Sequence, residues 1–232
     1  MNDRIRSKSH LSGNRRHRGL FASLALFALL ASPAAWASGL DSLEQFIKTT
    51  RSGKADFTQV VTTPGKNGQL SRSKTQQGSF EFQRPGKFRF IYRQPFEQTI
   101  VADGQTLWLY DADLNQVTTR KQEQALGSTP AAIVASASDL KALEKSFTLI
   151  NEPDQDGLQW LLATPKTPDT QIQSVRVGFK PTAGSAMLSI LEIIDSFGQR
   201  SVLNFTNVQN NAVLPAQTFE FRPPAGADVI RE

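Results

Sequence analysis

The chain contains no cysteine, and its two histidines, His10 and His17, both lie within the first 37 residues. Beyond that point a Cys/His zinc site, a Ser-His-Asp triad and a Cys-His nucleophile all lack a member. With no disulfide available, stability has to come from a packed core, and residues 38–232 are enough for one domain to provide it. Long apolar runs are scarce too: residues 20–31 form one, too short for a membrane span, and no second follows it.

That run reads as part of a processing signal. Arg4, Arg6, Lys8, Arg15, Arg16 and Arg18 make a basic stretch before it, and Ala35-Trp36-Ala37 after it is a small-x-small cleavage site. Residues 1–37 are therefore expected to be a secretory signal removed on export, with one mature domain over 38–232. The general secretory route fits better than the twin-arginine one, because the expected apolar residues do not directly follow Arg15-Arg16. Six of the 26 Lys and Arg and one of the 21 Asp and Glu fall in this segment, which leaves 20 of each and a formally neutral domain. The basic balance of the whole chain thus belongs to the export signal and gives no argument for nucleic acid as a partner. An exported chain without cysteine has no site for N-terminal lipidation, so a soluble protein is expected.

Residues 41–50 (DSLEQFIKTT) read as a helix, with Leu40, Leu43, Phe46 and Ile47 on one face and Asp41 with Glu44 as a capping box. From Lys54 the pattern changes to period two. Strands are expected at 55–62, 76–84, 87–93, 97–103, 105–111 and 114–120, then at 147–151, 158–164, 172–180, 187–194, 200–208 and 217–222. Their connections, such as Pro85-Gly86 and Asp103-Gly104, are short enough to make neighbours antiparallel. Between the two sets, Thr129 with Pro130 starts one small helix, and Ser138 caps a second that carries Leu140, Leu143 and Phe147 on one face. An antiparallel sheet of this length curls, and the helices are the only elements available to cover its apolar inner face. The run Leu107-Trp108-Leu109-Tyr110 is apolar on both faces, which implies further protein on the outer side.

Several candidate sites dissolve on inspection. DADLN at 111–115 opens like a calcium loop, but Gln116 stands where glycine is needed for the turn and Gln122 where a bidentate Glu is needed, so a solvated hairpin fits better. Asp154 and Asp156 are flanked by Pro153 and Gly157 and read as an exposed turn rather than an acid/base pair. Asn204-Phe205-Thr206 has the glycosylation pattern, yet it lies inside an expected strand. No metal or cofactor is expected.

One stretch is harder to dismiss. In FEFQRPGKFRFIYRQP, residues 80–95, Phe80, Phe82, Phe88, Phe90 and Tyr92 share one strand face, and the same parity sends Arg84 there too. Aromatic stripes usually fill cores. A guanidinium among them either finds acceptors close by, since an unpaired buried charge costs several kcal/mol, or is twisted out to solvent by the turn at Pro85.

The run from Phe80 to Thr118, with the later STPAAIV and FEFRPPAGADV, resembles the outer-membrane lipoprotein carrier protein of Gram-negative bacteria, the periplasmic LolA family. The resemblance covers most of residues 38–232. A tryptophan often stands in that family where this chain has Phe90, and the 131–135 stretch is richer in alanine than the family pattern implies. The fold so implied is α+β and mainly β: an incomplete antiparallel β-barrel of about 11 or 12 strands, its concave face covered by an N-terminal helix and a short helical lid over an apolar cavity. Arg84 would then be a latch that donates to main-chain carbonyls of the lid. Acyl chains would lie against Phe80, Phe82, Phe88, Phe90, Tyr92, Leu107 and Leu109, and against Ile133 and Val134 of the helical insertion. The implied role is a monomeric periplasmic chaperone without chemistry. Its cargo would be acylated lipoprotein, taken from an inner-membrane ABC-type release complex and handed to an outer-membrane receptor. A lipid- or lipoprotein-sensing domain of the same architecture is the alternative, though it would be expected to carry a further domain. A lipid hydrolase is disfavoured by the missing His and Cys, although a Ser-Lys or carboxylate mechanism stays open.

Overall fold

Among the described residues, period-two alternation interrupted by tight turns produces twelve strands that hydrogen-bond into a single open sheet. The computed structural model describes residues 38–65, 70–122, 137, 139–167 and 171–232, all within the unit Trp36–Glu232. In chain order the strands are β1 Ser52–Thr63, β2 Arg72–Gln83, β3 Lys87–Gln94, β4 Gln98–Asp103, β5 Thr106–Asp111, β6 Gln116–Lys121, β7 Phe147–Gln155, β8 Leu158–Pro165, β9 Ile172–Thr182, β10 Ser185–Asp195, β11 Arg200–Asn210 and β12 Asp228–Arg231. Across the sheet the order is β12-β6-β5-β4-β3-β2-β1-β11-β10-β9-β8-β7. Every pairing is antiparallel except that of β12 with β6, which is parallel. The sheet does not close: β7 and β12 remain its two edges.

Helix α1, Gly39–Thr49, lies on the inner face and buries Leu43, Phe46 and Ile47. Its capping box sits three residues earlier than the sequence suggests. Ser38 Oγ accepts from Asp41 N and the Asp41 carboxylate accepts from Ser38 N, so Ser38 and Asp41 form the pair in place of Asp41 and Glu44. Gly39 is required at the first turn, because a Cβ there would collide with the Trp160 carbonyl of β8. The helix is then tied down along its length. Leu40 N donates to Asn151 Oδ1 at 2.8 Å, Ser42 Oγ donates to Gln159 Oε1, and Asn211 Nδ2 donates to Thr49 O at 2.9 Å. A second helix, α2, runs from Leu140 to Ser146 and is capped by Asp139, whose side chain accepts from Ala142 N. The expected cap Ser138 and the expected helix at Thr129-Pro130 lie outside the described residues.

Among the described residues the apolar side chains pack on both faces of the sheet, in a larger and a smaller core. The larger one fills the inner face and joins α1 to Phe57, Phe80, Phe82, Phe88, Phe90, Val177, Phe179, Leu191 and Leu203. The second lies on the outer face of β3–β6, where Val101, Val117 and Phe219 are buried and Trp108 stacks on Phe221 at 5.6 Å. That explains the doubly apolar strand β5. Residues 217–222 are consequently not a strand, contrary to expectation. Pro215, Pro223 and Pro224 bracket the segment, a 3-10 turn covers Ala216–Phe219, and the alternation docks phenylalanines onto the sheet instead of extending it. The twelfth strand is Asp228–Arg231, which the sequence pattern did not announce.

If Phe219 anchors this outer core, Phe219→Ala should lower unfolding free energy by about 3–5 kcal/mol. Val213→Ala, at a side chain 98% exposed, should stay within about 0.5 kcal/mol. Urea denaturation of the two variants checks the contrast.

Candidate functional site: a ring-filled interior around a buried arginine

The β2–β3 hairpin sets the aromatic residues opposite one another, Phe80 facing Phe90 and Phe82 facing Phe88. Phe80 stacks on Phe90 with centroids 4.4 Å apart, while Phe57 of β1 meets Phe90 and Tyr92 edge-on at 5.5 and 5.1 Å. Glycine makes room for this packing: a Cβ on Gly53 would come 2.5 Å from the Phe82 ring, which lies over that backbone. Leu107 is buried in the same core, and Leu109 is half-buried opposite Ile100. Burial pushes the Tyr92 hydroxyl up to about 12, so it remains neutral. Ile133 and Val134 lie outside the described residues.

Arg84 follows β2 and points inward, not to solvent. It is 8% exposed. Its Nε donates to Thr50 O at 3.0 Å, at the C-terminal cap of α1, and its Nη1 donates to Ala137 O at 3.0 Å, two residues ahead of the Asp139 cap of α2. The guanidinium carbon stands 5.1 Å from the Phe46 ring centre and 5.3 Å from that of Phe82. Its backbone is anchored as well, with Arg84 N donating to Arg51 O at 2.8 Å. Burial, and secondarily the like charge of Arg51, lowers the Arg84 pKa to about 10, which leaves it cationic at neutral pH. The carbonyls and ring faces replace the water that this charge has lost.

Among the described residues a cleft bounded by Phe46, Ala55, Phe80, Phe82, Leu188 and Phe205 has room for about 10 Å³, the space of about one water molecule. A larger apolar ligand would enter this cleft only if its rings moved aside.

The remaining sequence candidates form no site. Asp111 Oδ1 accepts from Leu114 N, and Asp154, expected in a turn, is exposed near the end of β7, with Asp156 exposed in the turn that follows. Asn204 lies within β11. Among the described residues no group of three or more His, Cys, Asp or Glu could hold a metal ion. Phe46, Phe57 and Phe205 join the ring cluster although sequence reasoning did not assign them to it; their apolar positions on α1, β1 and β11 were the available signal. The acceptors of Arg84 are backbone carbonyls, and these leave no mark in a sequence.

An open antiparallel sheet curled over an apolar, aromatic-lined interior and roofed by a helix defines a class of β-rich folds suited to apolar ligands. Residues 48–222 match the family described as outer membrane lipoprotein carrier protein LolA, and the chain belongs to that family. It is 60% identical over 212 residues to the outer-membrane lipoprotein carrier protein of Albidiferax ferrireducens, covering 91% of this chain and 99% of that one. To the protein of the same name from Leptothrix cholodnii it is 48% identical over 222 residues, with coverage of 95% and 99%. Among solved structures it is similar in fold to an uncharacterized conserved protein from Thermus thermophilus, with a TM-score of 0.51 at 11% identity, over 83% of this chain and 98% of that one.

Arg84→Lys keeps the charge, but a single ammonium cannot reproduce the planar fork that spans Thr50 O and Ala137 O. It should cost about 1–3 kcal/mol of stability, measured by urea denaturation at neutral pH.

Proposed function

We propose that this protein is a periplasmic chaperone that carries acylated lipoproteins from the inner membrane to the outer membrane, sheltering their acyl chains against the inner face of the sheet. The observation that carries this reading is a ring-filled apolar interior with one buried arginine joining the end of α1 to the chain ahead of α2. Membership of the lipoprotein carrier family and the names of the relatives support it.

The physical problem is solubility. Each methylene exposed on leaving a membrane costs about 0.8 kcal/mol, so a lipoprotein with long chains needs an apolar surface to move onto. Phenyl rings offer such surface with no hydrogen-bonding demand of their own. Phe80, Phe82, Phe88, Phe90, Tyr92, Leu107 and Leu109 are assigned to acyl contact, and Ile133 and Val134 on sequence grounds. In the unloaded protein the rings pack on each other and Arg84 acts as the latch. Cargo displaces this packing, and the bonds of Arg84, worth about 1.5–3 kcal/mol each because the donor is charged, are exchanged rather than lost with the fold. At the acceptor, re-forming the closed state competes with cargo and favours hand-off.

The cycle makes and breaks no covalent bond. An ABC-type release complex of the inner membrane supplies the cargo, and an outer-membrane receptor takes it. The carrier works as a monomer over residues 38–232 once the signal at 1–37 has been removed.

Arg84→Leu should fold and take up lipoprotein but pass it to the acceptor poorly, since the closed state no longer competes; normal transfer by this variant would overturn the latch. Purified protein mixed with a diacylated lipoprotein should give a soluble 1:1 complex with intact acyl chains on mass spectrometry. Chain cleavage in that mixture would point to a hydrolase instead.

A further inference from the structure

Arg84 can span two carbonyls only if the turn that carries it is held still. That turn is Arg84-Pro85-Gly86, and its far side is gripped by one side chain. Gln122, 4% exposed at the end of β6, donates from Nε2 to Gly86 O at 2.5 Å and accepts at Oε1 from Gly104 N at 2.9 Å. Its own backbone N donates to Gln105 O at 2.8 Å. The carboxamide is therefore wedged between the β2–β3 and β4–β5 turns, using one donor and one acceptor at once. Both turns have glycines with positive φ, 75° at Gly86 and 105° at Gly104. Such glycines tolerate many backbone conformations and do not fix a turn by themselves. A Cβ on Gly86 would already lie 3.5 Å from the Gln122 amide.

We infer that Gln122 is a positioning residue for the latch: it locks the Arg84-Pro85-Gly86 turn to the sheet so that the guanidinium meets Thr50 O and Ala137 O together. The inference rests on the carrier reading above. The amide is needed for its chemistry, not its bulk. A glutamate in its place can still accept from Gly104 N but cannot donate to Gly86 O, and would set a carboxylate oxygen against that carbonyl.

The test is a double-mutant cycle on lipoprotein hand-off from loaded carrier to purified receptor, using wild type, Gln122→Glu, Arg84→Leu and the double variant, with Gln122→Asn as a shorter amide. Gln122→Glu should load normally and transfer about tenfold more slowly, the factor expected for loss of one such bond. In the Arg84→Leu background it should add nothing, and Gln122→Asn should recover part of the rate. NMR of the Arg84 Nε–H should show faster solvent exchange in Gln122→Glu than in wild type at a temperature where both are folded. Wild-type transfer by Gln122→Glu, or an equal further loss on top of Arg84→Leu, overturns the positioning role. Should Gln122→Glu melt early, the exchange of Arg84 Nε–H in Gln122→Asn decides: wild-type protection there also overturns it. Normal transfer by Arg84→Leu would instead sink the carrier latch itself, so the two failures are distinguishable.

Discussion

A charge stays inside a protein only where acceptors replace its water, and the interior of this sheet is arranged around that constraint. Arg84 sits among Phe46 and Phe82 and is satisfied in part by the main chain, at Thr50 and Ala137. Main-chain acceptors are available only while the segments carrying them are in place. On the latch proposal the arginine would report on closure: were the segment at Ala137 to withdraw, the guanidinium would lose a carbonyl and have to find water or another partner. An apolar residue at 84 would fill space in either state and discriminate between them much less.

The surrounding architecture makes one side of that arrangement firm. Helix α1 is fastened to the sheet by Asn151, Gln159 and Asn211, each reaching from a different strand or strand end, and by the close approach that Gly39 allows. On the outer face, Phe219 and Phe221 brace β3–β6 from behind. Farther along, Arg176 lies 4.5 Å over the Trp160 ring and bonds Glu152 and Glu192 across β7, β9 and β10. Thr50 O is thus presented by a fixed wall, and the proposed latch would have its fixed member in α1.

Much of this could be read from the sequence, for identifiable reasons. Strand existence and inner-face parity follow from alternation, which a half-buried sheet enforces residue by residue, so Phe80, Phe82, Phe88 and Phe90 fall together as expected. The failure at 217–222 has the same origin: TFEFR alternates, but alternation records two-sided exposure and not pairing, and prolines on both sides remove the donors a strand would need. Parity placed Arg84 inward but could not say which way the turn would swing it, because that depends on contacts with Thr50 and Ala137, distant in sequence. Gln122 drew notice only as a residue unfit to bind calcium. Its carboxamide bridges Gly86 and Gly104, a role that exists only once two turns are brought side by side.

The close packing of the rings bears on how such a site can bind anything. The cleft beside them holds about 10 Å³, so a ligand larger than water would have to move the rings that bound it. If the proposed acyl site lies here, entry exchanges ring-on-ring contact for ring-on-chain contact. These are nearly equivalent in area buried and in dispersion, so the exchange itself is close to neutral. On the latch proposal, the balance between closed and loaded states is then set by the small polar contribution of Arg84. A carrier that must both take up and give away its cargo is served by such near-degeneracy.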